Sequence, residues 1–340
     1  MIRIAKFRYA VVITLALLLT TFPAFTGAGA DSTPRHQQGK SKNASPPANA
    51  QSVLWQAPTD IESRDLFYGA GGRAGAPDPS APFTFVRHST SGTQKKVIVE
   101  DKRGREWTVK FGPEARPETT ATRIVWAVGY YVDQDYFVRQ ASIVGKENID
   151  ARNVRFERRD DGYEDVGNWK WDENPFVGTR ELEGLKVLMA LLKNWDLKSK
   201  NNEVLCPKNA LSPRIYYVSD LGATFGQTGT FMNSMPLFGN LPVGMSFSPE
   251  KGKGDAEAFR DEKFIKEVRG GKVTFYHRRS SGRDKINGVP VECARWMGAL
   301  LGRLSDKQLA DAFCAGGFNQ QETQIYVRTL RERIRQLQQL

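Results

Sequence analysis

A leucine-rich stretch at residues 179–192 runs directly into Asn194-Trp195-Asp196-Leu197-Lys198-Ser199-Lys200-Asn201, and 19 residues past Asn201 comes Asp220-Leu221-Gly222. This succession constrains the fold more than any bulk property of the chain. Thr179 is a good helix N-cap, and Leu182, Leu185, Leu188, Leu191 and Leu192 repeat at helical spacing. A buried helix is therefore predicted to deliver the chain into a tight polar loop. Val204-Leu205 and Ile215-Tyr216-Tyr217-Val218 then read as two short strands, with Asp220 at the end of the second.

Upstream the period is that of strands. Runs at residues 83–87, 96–100 and 106–111 are rich in Val, Phe and Ile, and Asp101-Lys102-Arg103-Gly104 suits a hairpin turn between the last two. After Pro117 the period lengthens: Ala121, Ile124, Val125 and Val128 form one helical face, with Gly129 near its end. Further strands are predicted at 138–144 and 154–158, followed by a polar, aromatic loop at 160–175. Downstream of Gly222 the chain reads as mainly helical. Ser305 with Gln308 and Asn319 with Glu322 have capping-box spacing. The predicted class is α+β: a loop-rich extension at 58–81, a β-rich lobe at 82–175 and an α-rich lobe at 176–340. No internal repeat is present.

The 340 residues suffice for one large domain or two small ones. The first 30 have a basic start (Arg3, Lys6, Arg8), an apolar run from Tyr9 to Phe25 and a small-residue exit at Ala28-Gly29-Ala30, which is the pattern of a signal peptide. Removing it leaves an exported, periplasmic or extracellular protein (lumenal in a eukaryote) without a stable membrane span. Residues 31–57, rich in Ser, Pro, Gln, Asn and Ala, read as a disordered tether. Loss of Arg3, Lys6 and Arg8 also lowers the net charge from +11 to +8. The excess looks dispersed, with Arg155, Arg158 and Arg159 beside Asp160 and Asp161, and Arg331, Arg333 and Arg335 beside Glu332. A nucleic-acid groove needs a concentrated basic stripe with stacking aromatics, so nucleic acid is not the expected partner. Cys206, Cys293 and Cys314 have no metal-ligand spacing. A Cys293 to Cys314 bridge and free thiols both fit.

Asp196-Leu197-Lys198-Ser199-Lys200-Asn201 resembles the Asp-x-Lys-x-x-Asn catalytic loop of protein kinases, and Asp220-Leu221-Gly222 resembles their Asp-Phe-Gly metal motif. Trp107-Thr108-Val109-Lys110 is similar to the Val-Ala-Ile-Lys strand that presents a phosphate-binding lysine. The resemblance runs from Pro82 to Leu340 and implies a two-lobed protein-kinase-like fold. It further implies ATP and Mg²⁺ as cofactors, a nucleotide and a hydroxyl-bearing acceptor (protein, lipid or sugar) as partners, Asp196 as base and Lys198 beside the transferring phosphoryl group. Asn201 and Asp220 would be the metal ligands. Glu118, early in its helix after Pro117, is preferred to Glu114 as the partner of Lys110, and Gly222 would permit the turn after Asp220.

Three departures separate the chain from ordinary protein kinases. His88-Ser89-Thr90-Ser91-Gly92-Thr93 stands where a glycine-rich loop would be, leaving Ser91 and Gly92 as candidate phosphate contacts. Asn194-Trp195 replaces His-Arg, and no Ala-Pro-Glu follows Asp220. The pattern looks more like the atypical branches: HipA-type, phosphatidylinositol, spore-coat CotH and Golgi secreted kinases. His277, flanked by Tyr276 and Arg278, reads as a strand residue or a phosphate contact. The alternative to an exported phosphotransferase is a non-catalytic exported binding or scaffold protein of the same fold.

Overall fold

In the computed structural model, residues 51–89, 95–158, 162–209, 213–226, 254–277 and 285–340 are described. The expected signal peptide, most of the expected tether, and Ser91 and Gly92 lie outside them. Residues 51–57 belong to the fold rather than to a tether. Strand β1 (Ser52–Val53) pairs in parallel with a later strand, Leu54 is buried, and the indole of Trp55 donates to Val128 O at 2.7 Å.

The β-rich lobe follows a short helix α1 (Gly72–Gly75). It comprises β2 (Phe83–His88), β3 (Lys96–Glu100), β4 (Glu106–Lys110), helix α2 (Ala115–Ala127), β5 (Gln134–Val144) and β6 (Ile149–Arg158). The strands close into a barrel in the order β2-β3-β4-β6-β5, sealed by a parallel pairing of Phe83 with Ile143 and Thr84 with Val144. Closure removes the exposed edges of a five-stranded sheet. Strand alternation sends Phe83, Val97, Val99, Trp107, Val109, Val154 and Phe156 into the barrel interior. The same alternation puts Lys110, Asp135, Arg155 and Glu157 on the outer face. That face is not water-exposed: Asp135 is 0% exposed and Arg155 2%.

Residues 160–175 are not simply a loop. Strand β7 (Tyr163–Asn168) pairs with β8 (Asn202–Pro207), which pairs with β9 (Arg214–Val218), giving the sheet order β1-β9-β8-β7. Polar residues on a largely exposed strand disguised it. Trp169 and Trp171, just past it, are buried and meet edge to face at 5.0 Å between ring centroids.

Helix α3 (Arg180–Leu192) is capped by Thr179, whose hydroxyl accepts from the Leu182 N–H. It is buried on nearly every side, Val187, Met189 and Ala190 included, so it is the axis of the α-rich lobe rather than an amphipathic surface helix. Gly184 lets α5 (Val291–Gly302) approach, since a Cβ there would lie 2.4 Å from the Trp296 ring. Helices α4 (Ala256–Asp261), α6 (Asp306–Ala315) and α7 (Gln320–Gln338) complete the lobe. Both predicted capping boxes are formed. The stretch expected to be mainly helical also holds a small sheet, β10 (Ile265–Arg269), β11 (Lys272–Phe275) and β12 (Val289–Pro290). The chain thus has an α+β fold in which a β-rich barrel lobe precedes an α-rich one. The cysteines are free, and among the described residues no helix is long and apolar enough to cross a membrane.

Candidate active site

Lys110 ends β4 one residue past Val109, so its side chain leaves the barrel on the side covered by α2. There its ammonium lies 3.0 Å from Glu118, 2.8 Å from Asp220 and 3.2 Å from Glu114. Both glutamates weighed as its partner therefore reach it. Glu118 is the buried one, with 1% of its side chain exposed against 23% for Glu114. Burial pulls the Lys110 ammonium down, but the carboxylates of Glu118, Asp220 and Glu114 outweigh it and hold the group above its usual range.

Behind this contact lies a layer of charge. Lys110 pairs across the strands with Arg155, a like-charge pair that would oppose sheet formation if left alone. Glu118 resolves it by standing between them, one carboxylate oxygen 2.7 Å from Arg155 and the other 3.0 Å from Lys110. Arg155 also holds Asp135 at 2.9 Å and Glu157 at 2.5 Å. Burial pulls the Arg155 guanidinium down, and Asp135, Glu118 and Glu157 more than restore it. Burial pushes the Glu118 carboxyl up, opposed first by Arg155 and then by Lys110. Arg155 is therefore not the solvated surface arginine its run of charges suggested. The missed signal was alternation: Val154 and Phe156 face the barrel interior, which sends Arg155 and Glu157 together to the opposite face, the one α2 covers.

The second half of the site is built by the chain after α3. Lys193 takes a left-handed conformation, φ +59°, at the helix end where glycine is usual. Its ammonium donates to Lys263 O and Tyr276 O at 2.6 and 2.7 Å, which fixes the turn. His277 follows β11 and reaches Asn194 O with Nε2 at 2.7 Å, so it braces this turn from the small sheet. The Asn194 side chain accepts from the Asp196 N–H at 3.1 Å, and the Asn201 amide donates to Asp196 O at 3.0 Å, closing the loop on itself. Within the loop, Lys198 lies 2.7 Å from the Asp196 carboxylate.

Asp220 is brought alongside by three backbone hydrogen bonds: Ser219 N–H to Asn201 O, Trp195 N–H to Ala223 O and Phe225 N–H to Leu192 O, at 2.8, 3.2 and 3.0 Å. Burial works against the Asp220 carboxylate, but the Lys110 ammonium outweighs it and keeps its pKa below the usual range. The role expected of Gly222 needs correction. The left-handed residue is Asp220 itself, φ +54°, while Gly222 is required by close packing, because a Cβ there would lie 2.6 Å from the Glu114 Cβ. Lys193, Asp220 and Phe225 all take positive φ in the segments that carry the loop and Asp220, as does Asn153 in β6.

Glu114, Glu118 and Asp220 each bring a carboxylate oxygen within 4.8 Å of the others, and the Lys110 ammonium already sits among them, which leaves Asp220, the most exposed of the three, as the carboxylate available to a metal. Asn201 uses its amide nitrogen on Asp196 O, leaving its oxygen for a ligand. Hard oxygen donors of this kind fit Mg²⁺ and would suit no soft metal. Of the sequence-derived candidates, Lys110, Glu118 and Asp220 are in direct contact, and Asp196, Lys198 and Asn201 share a loop hydrogen-bonded to the Asp220 segment.

No family model and no curated protein matches this chain. Among solved structures it is similar to the crystal structure of a Helicobacter pylori proinflammatory kinase, CtkA, at 13% identity and a TM-score of 0.44, over 76% of this chain and 97% of that one.

Proposed function

We propose that this chain is a kinase-like phosphotransferase that moves the ATP γ-phosphoryl group to a hydroxyl acceptor. The observation that carries the reading is the meeting of Lys110, Glu118 and Asp220, three residues from a strand, a helix and a loop spread over 110 positions. A surface lysine has no reason to be 4% exposed and held by three carboxylates.

Lys110 would turn its ammonium to the nucleotide phosphates, exchanging the more exposed Glu114 and Asp220 for phosphate oxygens and keeping Glu118. Asp196 would accept the proton of the acceptor hydroxyl as the new O–P bond forms and the bond from Pγ to the ADP oxygen breaks. Lys198, already beside Asp196, would neutralise charge on the transferring group. Asn201 and Asp220 would hold Mg²⁺, which when bound offsets phosphate charge. The pattern of residues 1–30 supports placing this chemistry outside the cytoplasm, with ATP supplied there.

The test is transfer of label from γ-labelled ATP, with Mg²⁺, to the chain itself and to generic protein, lipid and sugar acceptors. Asp196→Ala should lower transfer by about 10²–10⁴, the range of general-base contributions. Lys110→Met should weaken nucleotide binding. Absence of binding at millimolar ATP, or equal labelling by Asp196→Ala and Asp220→Ala, would overturn the reading. A second reading, a non-catalytic binding protein, draws on the three carboxylates already around Lys110. It predicts no nucleotide binding even after Glu114→Gln frees one ammonium contact.

A further inference from the structure

Arg116 lies two residues before Glu118 on α2, about 200° round the helix, so it points away from the Lys110 centre. On that side a cavity of about 500 Å³ is lined by Arg116, Phe137, Arg139, Arg152, Gly317 and Asn319. The three arginines come from α2, β5 and β6, and the remaining wall from the α6–α7 turn. Their pairing is incomplete. Arg116 meets Glu322 at 2.7 Å through one terminal nitrogen, while its Nε is buried with no hydrogen-bond partner among the described residues. Arg152 meets Asp150 at 2.7 Å, and Arg139 donates to the Gly317 carbonyl at 3.5 Å. Three guanidiniums thus face two carboxylates.

A second cavity of about 470 Å³ shares Phe137 and Arg139 with the first and continues past Phe67, Tyr68, Pro77 and Val138. Phe67 is 44% exposed and meets the Tyr68 ring edge to face at 5.1 Å between centroids. The two adjoin at Phe137 and Arg139, so a ligand spanning both would meet a groove that is basic at one end and aromatic at the other.

We propose that this groove binds a phosphorylated peptide, with the phosphoryl group among Arg116, Arg139 and Arg152 and a neighbouring apolar side chain against Phe67, Tyr68 and Phe137. Guanidiniums converging from three separate elements call for an acceptor with three oxygens on one atom, which phosphate has and a carboxylate lacks. The apolar end calls for a side chain covalently attached to that phosphate. A free phosphate ion uses one half of the groove, and a flat anionic membrane enters neither. Because Arg116 and Glu118 share the first turns of α2, an occupant would bear on the helix that orients Lys110.

The experiment uses the full chain and fluorescent peptides carrying a fixed phosphoserine flanked by degenerate positions, read by anisotropy, beside the unphosphorylated library, inorganic phosphate and phosphatidylserine vesicles. The phosphopeptides should bind at least about tenfold tighter than their unphosphorylated counterparts. Arg139→Gln with Arg152→Gln, both at exposed positions, should remove that preference at unchanged Tm. Phe67→Ser should weaken the peptide and leave inorganic phosphate unaffected, and millimolar ATP should displace neither from the groove, which separates it from the nucleotide site. Equal binding of the two libraries, wild-type affinity in the double arginine variant, indifference to Phe67→Ser, or capture by vesicles in preference to peptide would each overturn the proposal.

Discussion

Replacing Arg155 with Met should destabilise the protein by about 3–5 kcal/mol, the cost of breaking a buried ion pair by removing one partner. The guanidinium is 2% exposed and is held by Glu118, Asp135 and Glu157, whose side chains are 1%, 0% and 10% exposed. Without it, three carboxylates share a dry face with Lys110, and some must take up protons to remain there. Burial already raises the Glu118 and Asp135 carboxyls above the unfolded value of about 4, and loss of the guanidinium that opposes it raises them further. The native state then binds more protons than the unfolded state, so stability falls as pH rises from about 4 toward the raised pKa, by about 1.4 kcal/mol per pH unit for each group titrating. Urea unfolding of both proteins across pH 5–8 measures this. The deficit of Arg155→Met should be largest at pH 8 and shrink on acidification, and adding Glu157→Gln and Asp135→Asn should recover part of it at pH 8. A loss below about 1 kcal/mol, or one independent of pH, would refute the argument that Arg155 neutralises a buried acidic layer.

Asp101 anchors the β3–β4 hairpin by accepting from the Trp107 indole at 3.0 Å, from the Arg103 and Arg105 N–H groups and from the Arg105 side chain. Burial pushes its carboxyl up, but the hydrogen bonds from Trp107, Arg105 and Arg103 outweigh it and lower the pKa. Its contribution is thus fully present above about pH 4 and is lost as pH falls through the depressed value. Asp101→Asn should cost about 2–3 kcal/mol at neutral pH and flatten the acid limb of the stability profile, and an unchanged limb would count against this assignment. Gly222→Ala places a Cβ against the Glu114 Cβ and should cost about 1–3 kcal/mol in urea unfolding while weakening nucleotide binding; an effect below about 0.5 kcal/mol would show that α2 yields there.

Much of the candidate site was legible because it rests on local chemistry. Capping residues act within one turn, and the loop from Asp196 to Asn201 closes on its own atoms. Where the linear pattern misled, the cause was long-range packing. Arg155 and Arg333 looked like members of solvated charge runs, yet each is 2% exposed. Arg333 donates to Leu191 O, Phe259 O and Glu262 O, and its guanidinium lies 3.9 Å from the Phe259 ring centre. The environment of Arg333 cannot be inferred from neighbours in sequence, since every carbonyl it donates to is more than 70 positions away.

By itself, then, the sequence determined the α+β order of elements, most strand and helix positions, the caps and the residues offered for chemistry, because backbone propensity and hydrophobic period are written within a few residues. Only the tertiary structure decided which charges face inward. Closure of the barrel turned the outer face of β4, β6 and β5 toward α2, where Glu118 bridges Lys110 to Arg155. Packing of α2 on Gly222 then set Glu114 and Asp220 around the same ammonium. These are consequences of excluded water and close contact between distant segments, which only the folded chain brings together.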